Sequence, residues 1–211
     1  MEYKEVFENN KAWIAEKLAL DPDYFTNLAR QQRPDFLYIG CSDSRVPANE
    51  IMGTDPGDVF VHCNIANLVD NTDMNCQSVI QYAVEHLHVK YIVVCGHYNC
   101  GGIKAAMHPT DLGLINGWLR NITDVYRIHY DELKAIANEE MRYRRLVELN
   151  VMEQCLNIAK IAGVQKAYID GELAGIYGWV YDIHNGKIID LEVDILSMVK
   201  KNLDILALEN L

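Results

Sequence analysis

Apolar residues recur along this chain with two different spacings, and the switches between them divide it into helices and strands. Phe7, Ile14 and Leu18 fall on one face of a first helix. Asp21-Pro22 stops that helix and begins another, because Asp can cap and Pro suits a first helical turn. Two short apolar runs follow, FLYIG at 36–40 and DVFVH at 58–62, and each fits a buried strand. From about Asn75 to His88 the spacing is helical again, with Val79, Ile80, Ala83, Val84 and Leu87 as the apolar stripe. YIVVCG at 91–96 is the clearest strand, an unbroken run of β-formers that ends on glycine.

Residues from about 111 to 162 read as mostly helical. GIYGWVYDI and KIIDLEV then flank His184-Asn185-Gly186, and Asn-Gly is a strong hairpin signal. In the tail, Leu196, Val199, Leu203 and Leu206 return to helical spacing. Strands alternating with helices predict an α/β fold with a mostly parallel central sheet, an antiparallel C-terminal edge hairpin, flanking helices and an N-terminal helical arm. No repeat, low-complexity tract or Pro/Gly/Ser-rich linker breaks the pattern. One domain is therefore expected over 1–211, with 1–34 as the arm, 35–193 as the α/β core and 194–211 as a C-terminal helix.

Composition narrows the function classes. With 211 residues, half of them hydrophobic, the chain can bury a full core. A formal net charge of -11 argues against nucleic acid and against anionic membrane surfaces. The one basic cluster, Arg142, Arg144 and Arg145, sits among Glu139, Glu140 and Glu148 and reads as a solvated helix face. MEYKEVFENN has neither the basic nor the apolar region of a secretory signal, and no apolar run reaches bilayer length, so a cytoplasmic protein is expected. Six cysteines in that setting point to reduced thiols or metal ligands rather than a disulfide framework.

Candidate chemistry lies in two segments, Cys41-Ser-Asp-Ser-Arg45 and Cys95-Gly-His-Tyr-Asn-Cys100-Gly-Gly102. Each directly follows a predicted strand. Ligands of open parallel sheets bind beyond the carboxyl ends of strands, so neighbouring strands would bring both segments to one crevice. Thiolate, imidazole and carboxylate are zinc ligands, and His97-x-x-Cys100 is a compact pair that can converge from one turn. Gly101 and Gly102 allow close backbone approach. Spacing leaves Cys95-x-His97 open as the alternative pair, and buried thiols or a redox site as the alternative to a metal. Cys76 and Cys155 suit helix packing, and Cys95 the end of the core strand.

The segments CSDSRVPA (41–48), FVHCNIANLV (60–69) and CGHYNCGGI (95–103) are similar to the signature blocks of β-class carbonic anhydrases. LGLINGWL (112–119), ELNVMEQ (148–154) and YGWVYDIHNG (177–186) also resemble the family's bacterial members. The resemblance implies reversible hydration of carbon dioxide to bicarbonate at a Zn2+ ion held by Cys41, His97 and Cys100. It gives Asp43 the fourth position in a resting form and Arg45 as the partner that draws Asp43 away. Tyr82 and Gly102 would belong to the substrate pocket, and the unit would be a homodimer or homotetramer with the arm on its neighbour.

A subset of the family is inhibited by bicarbonate at a pocket whose positions correspond to Tyr38, Cys63 and Tyr181. Cys63 replaces an arginine there, so such inhibition is expected to be weak or absent. Asn99, and the pair Asp70-Asn71, are two further departures from the family pattern. Three rival readings follow: a zinc-binding relative with lost activity, one acting on carbon disulfide or carbonyl sulfide, and a structural zinc module. A nucleotide site has the least support, with neither a G-x-G-x-x-G nor a P-loop.

Overall fold

A computed structural model of the protein describes residues 2–108 and 111–195. The predicted C-terminal helix over 194–211 lies outside the described residues beyond 195. Two compact units form, Met1–Arg33 and the chain from Pro34 onward.

In the first unit, helix α1 spans Glu5–Leu20 and α2 spans Tyr24–Leu28. Asp21 ends α1, and its side chain takes the Asp23 N–H at 2.9 Å, so the turn forms where Asp21-Pro22 predicted. Trp13 packs edge-on against Tyr24 and Phe25. Neither helix has a buried residue, and Phe7 of the predicted stripe is 54% exposed.

The second unit is built on a five-stranded sheet, β1 Phe36–Cys41, β2 Val59–Asn64, β3 Tyr91–His97, β4 Gly175–Asp182 and β5 Lys187–Asp190. Their order is β2-β1-β3-β4-β5, with β5 alone antiparallel. The central strands β1 and β3 are apolar on both faces because both faces are covered. β2 runs two residues beyond its predicted end because it pairs with all six residues of β1. β5 stops at Asp190, short of the predicted 193, and Glu192 takes a left-handed φ of 49°.

Helices α3 (Ala48–Met52), α4 (Met74–Gln81), α5 (Gly101–Ala106), α6 (Ile115–Ile128), α7 (Tyr130–Ala135), α8 (Glu139–Ala159) and α9 (Ala162–Ile169) are the α-helices of this unit among the described residues, with a short 3-10 turn at Ile65–Asn67. Asp73 caps α4 through the Asn75 N–H, and Asn138 caps α8 through the Met141 N–H. The helix predicted over 75–88 is α4 followed by one π-helical turn, Tyr82–His86. One sheet face, with Leu37, Ile39, Ile92 and Val94, packs in a core with Leu146, Leu149 and Ile158 of α8. The other carries Tyr38, Val93 and Cys95 with Ala48, Ile51 and Met52 of α3 and the half-buried Tyr177, Trp179 and Tyr181. Among the described residues, no helix is long and apolar enough to cross a membrane.

Candidate metal centre

β1 and β3 lie side by side in parallel, Gly40 opposite Cys95, so both strands deliver their last residues to the same carboxyl end of the sheet. Cys41 ends β1, His97 ends β3, and Cys100 stands just before α5. All three are buried, and their ligand atoms lie within 4.8 Å of one another. The two sulfurs are 3.9 Å apart. Two thiolates on a tetrahedral zinc, with zinc–sulfur distances of about 2.3 Å, would stand about 3.8 Å apart.

His97 is fully buried, and its Nδ1 lies 2.9 Å from the Tyr98 carbonyl. A carbonyl only accepts, so Nδ1 carries the proton and Nε2 keeps its lone pair. That Nε2 is a buried polar atom with no hydrogen-bond partner. An orphaned acceptor facing two sulfurs at tetrahedral separation fits a zinc ion well. Between the sulfurs, Cys41 is held below the ordinary thiol range by a hydrogen bond from Cys100, and Cys100 is pushed up by that bond and by burial.

Cys95 falls out of the ligand set. Its side chain belongs to the opposite sheet face with Tyr38 and Val93, where burial pushes the thiol up to about 12. Cys76 and Cys155 are fully buried in the helical core.

Asp43 and Arg45 form a forked pair. Arg45 Nε donates to Oδ1 at 2.8 Å, Nη2 to Oδ2 at 2.6 Å, and the Arg45 backbone N–H to Oδ1 at 3.0 Å. These bonds hold the carboxyl down to about 2. Asp43 Oδ2 is 3.8 Å from His97 Nε2, beside the cluster, with the carboxylate turned to Arg45.

The remaining candidates are spread more widely. Gly102 lies in the first turn of α5, where a Cβ would come within 2.8 Å of Ile65 Cγ2, so its small size lets α5 close on the 65–67 turn. Tyr82 stands on the π turn, its ring against Phe60 and His86. Tyr38 and Cys63 share the second sheet face, Tyr38 buried with an unpartnered hydroxyl and Cys63 exposed, while Tyr181 on β4 is half-buried. Asp70, a departure from the family pattern, anchors a turn by accepting from the Thr72 N–H and hydroxyl, both at 2.7 Å.

Sequence reasoning missed the amides of α8, Asn150 and Gln154 buried and Asn157 half-buried. Asn150 donates to the Ala66 carbonyl at 3.1 Å, Gln154 accepts the Val69 N–H at 2.8 Å, and Asn157 donates to the Val69 carbonyl at 3.0 Å. They pin the 66–69 segment, where Ala66 and Asn67 both take left-handed φ values. The available signal was three amide side chains, Asn150, Gln154 and Asn157, at helical spacing along α8.

An α/β sheet that converges a Cys-His-Cys trio able to hold a metal ion, with a carboxylate–arginine pair alongside, defines a class of protein with a candidate metal centre at the carboxyl ends of its strands. The carbonic anhydrase family profile matches residues 36–188. A carbonic anhydrase of Emericella nidulans is 55% identical over 202 residues, covering 94% of this chain and 89% of its own. One from Pseudomonas aeruginosa is 35% identical over 180 residues, covering 80% and 78%. Among solved structures, a tetrameric β-carbonic anhydrase of Sordaria macrospora superposes with a TM-score of 0.86 at 40% identity, covering 90% of this chain and 96% of its own. A β-carbonic anhydrase of Aspergillus fumigatus gives 0.89 at 35%, covering 97% of this chain and 98% of its own. The chain belongs to the β-class carbonic anhydrase family.

Proposed function

We propose that the protein catalyses the reversible hydration of carbon dioxide to bicarbonate and a proton, with zinc held by Cys41, His97 and Cys100. The observation that carries this is the orphaned His97 Nε2 facing two sulfurs 3.9 Å apart. Bound there, zinc would supply a Lewis acid that brings the pKa of water towards neutrality. The protein's own groups do the rest. His97 Nδ1 keeps its proton on the Tyr98 carbonyl, which fixes the ring and leaves Nε2 for the metal. Asp43, ionised at working pH, presents an acceptor oxygen beside the fourth position and can orient a water by taking its hydrogen bond. Arg45 keeps that carboxylate from closing the position itself, and Tyr82 and Gly102 belong to the substrate side.

A homo-oligomer is the second part of this reading. It is supported by the tetrameric relative, by arm helices without a buried residue and by a sheet face on which Val61 is 42% exposed. A cytoplasmic site of action suits six unpaired cysteines. At the position of the effector arginine, Cys63 offers no cationic fork, so bicarbonate has no strong inhibitory hold on the second sheet face.

Stopped-flow hydration of carbon dioxide by zinc-quantified protein tests the reading. Activity that rises with pH at one zinc per chain is the expected result, without cooperative loss of rate when bicarbonate is added. A fully loaded protein that is inactive throughout would overturn it.

A further inference from the structure

Asn99 joins two parts of the molecule that the chemistry described so far keeps separate. It lies between the two ligands of the metal loop, in a left-handed conformation with φ of 63°. Its carbonyl accepts from Arg45 Nη2 at 3.2 Å. Its amide Nδ2 lies 2.9 Å from Nε2 of His184, on the turn between β4 and β5.

That turn is a firm platform. Asp182 is buried, and its carboxylate accepts from the His184 N–H at 3.0 Å and from the Asn185 amide at 3.2 Å. Arg144 approaches the same carboxylate at 3.6 Å, and its guanidinium stacks 3.5 Å over the Tyr98 ring. The loop is tied on both sides of Asn99: the Tyr98 N–H donates to the Tyr181 carbonyl at 3.1 Å, and the Tyr143 hydroxyl donates to the Cys100 carbonyl at 3.2 Å.

Arg45 needs such a second hold. Its side chain is half exposed, and a guanidinium fastened only to Asp43 could swing with the carboxylate. A carbonyl that accepts a second bond from the same Nη2 restricts that freedom. We propose that Asn99 and His184 are positioning residues for the Arg45–Asp43 pair: the β4–β5 turn, acting through the Asn99 amide, holds the Asn99 carbonyl on the guanidinium and so fixes the fork on the carboxylate. The functional part of this inference rests on Asp43 standing beside zinc's fourth position. The placement of Arg45 does not.

The test uses the zinc-loaded full chain with His184→Leu, which fills the site without an acceptor, and Asn99→Gly, which suits the left-handed backbone but has no amide. His184→Gln restores a hydrogen-bonding partner. Two quantities are measured: hydrogen exchange at Arg45 Nε–H by NMR, and the pH at half-maximal carbon dioxide hydration. In His184→Leu and Asn99→Gly the exchange should quicken about fivefold and the midpoint should rise by about half a pH unit, shifts of the size one hydrogen bond supports. His184→Gln should return both towards wild type, while thermal unfolding stays within about 3 °C across the set. A general loosening of the fold would move the melting temperature and would not respond to His184→Gln. Wild-type exchange and midpoint in His184→Leu, or a His184→Gln variant as altered as His184→Leu, overturns the proposal. If wild-type protein holds zinc yet does not hydrate carbon dioxide, the function is overturned while Arg45 exchange still decides the positioning role.

Discussion

Asp70 illustrates what one side chain contributes away from the metal loop. Its carboxylate is held below the ordinary range first by the Thr72 N–H, then by the Thr72 hydroxyl, with the Asn121 amide adding a smaller part. A carboxyl whose folded pKa is depressed adds stability that is present above the unfolded value of about 3.9 and is lost as pH falls through the folded value. Asp70→Asn should therefore lower stability at neutral pH and flatten its fall on the acid side, where wild type loses the Asp70 contribution. Chemical denaturation at pH 7 and at about pH 3 checks this. Equal acid sensitivity in the two proteins would rule out the assignment. At this scale the Cys41, His97 and Cys100 cluster was readable in the sequence as a candidate site, because two motifs each follow a strand. The choice between Cys95 and Cys100 was not, since it depends on which sheet face Cys95 takes.

Among the elements, α8 carries a burden that its apolar periodicity concealed. Asn150 and Gln154 are almost fully buried, and Gln154 Nε2 donates to Asn150 Oδ1 at 3.2 Å, so the two amides act as one clamp on the 66–69 segment. Gln154→Leu would strand the buried Val69 N–H, a cost of about 1–3 kcal/mol. Urea unfolding should show that loss, and an unchanged midpoint would mean water replaces the amide without penalty. Continuous runs such as YIVVCG were legible as strands because a parallel strand covered on both faces has no polar alternation. Polar residues at core positions were not, because pattern reading assigns them to the surface until their backbone partners are known. The π turn at Tyr82–His86 likewise leaves the apolar stripe intact and changes only the backbone bonding.

For the whole molecule, the arm and the second sheet face share one property: large apolar side chains that this chain alone does not bury. Val61 lies beside Tyr38 on that face, and Leu20 of α1 is 79% exposed. A charge at Val61 would oppose burial against another copy. Val61→Asp should shift the protein to a smaller species in sedimentation velocity, with the melting temperature reported at the same concentration because assembly and stability are linked. A wild-type sedimentation coefficient would place the contact elsewhere. The fold class was open to prediction from alternating strands and helices, whereas the fate of these exposed faces depends on a neighbour that periodicity cannot supply.

Because β1 and β3 are adjacent in space but separated along the chain by everything from Ser42 to Lys90, the exposed loops of that span are free to vary in length without changing the distance between Cys41 and His97. Inside the strands the opposite holds. One residue inserted within Phe36–Cys41 would turn the terminal cysteine to the other face. An insertion scan of this protein should thus show a sharply two-valued tolerance, generous in exposed loops of the excursion such as 55–58 and nil within β1, β2 and β3, at 43–45 and over the clamped 66–69 segment, a map of the site drawn by chain length alone.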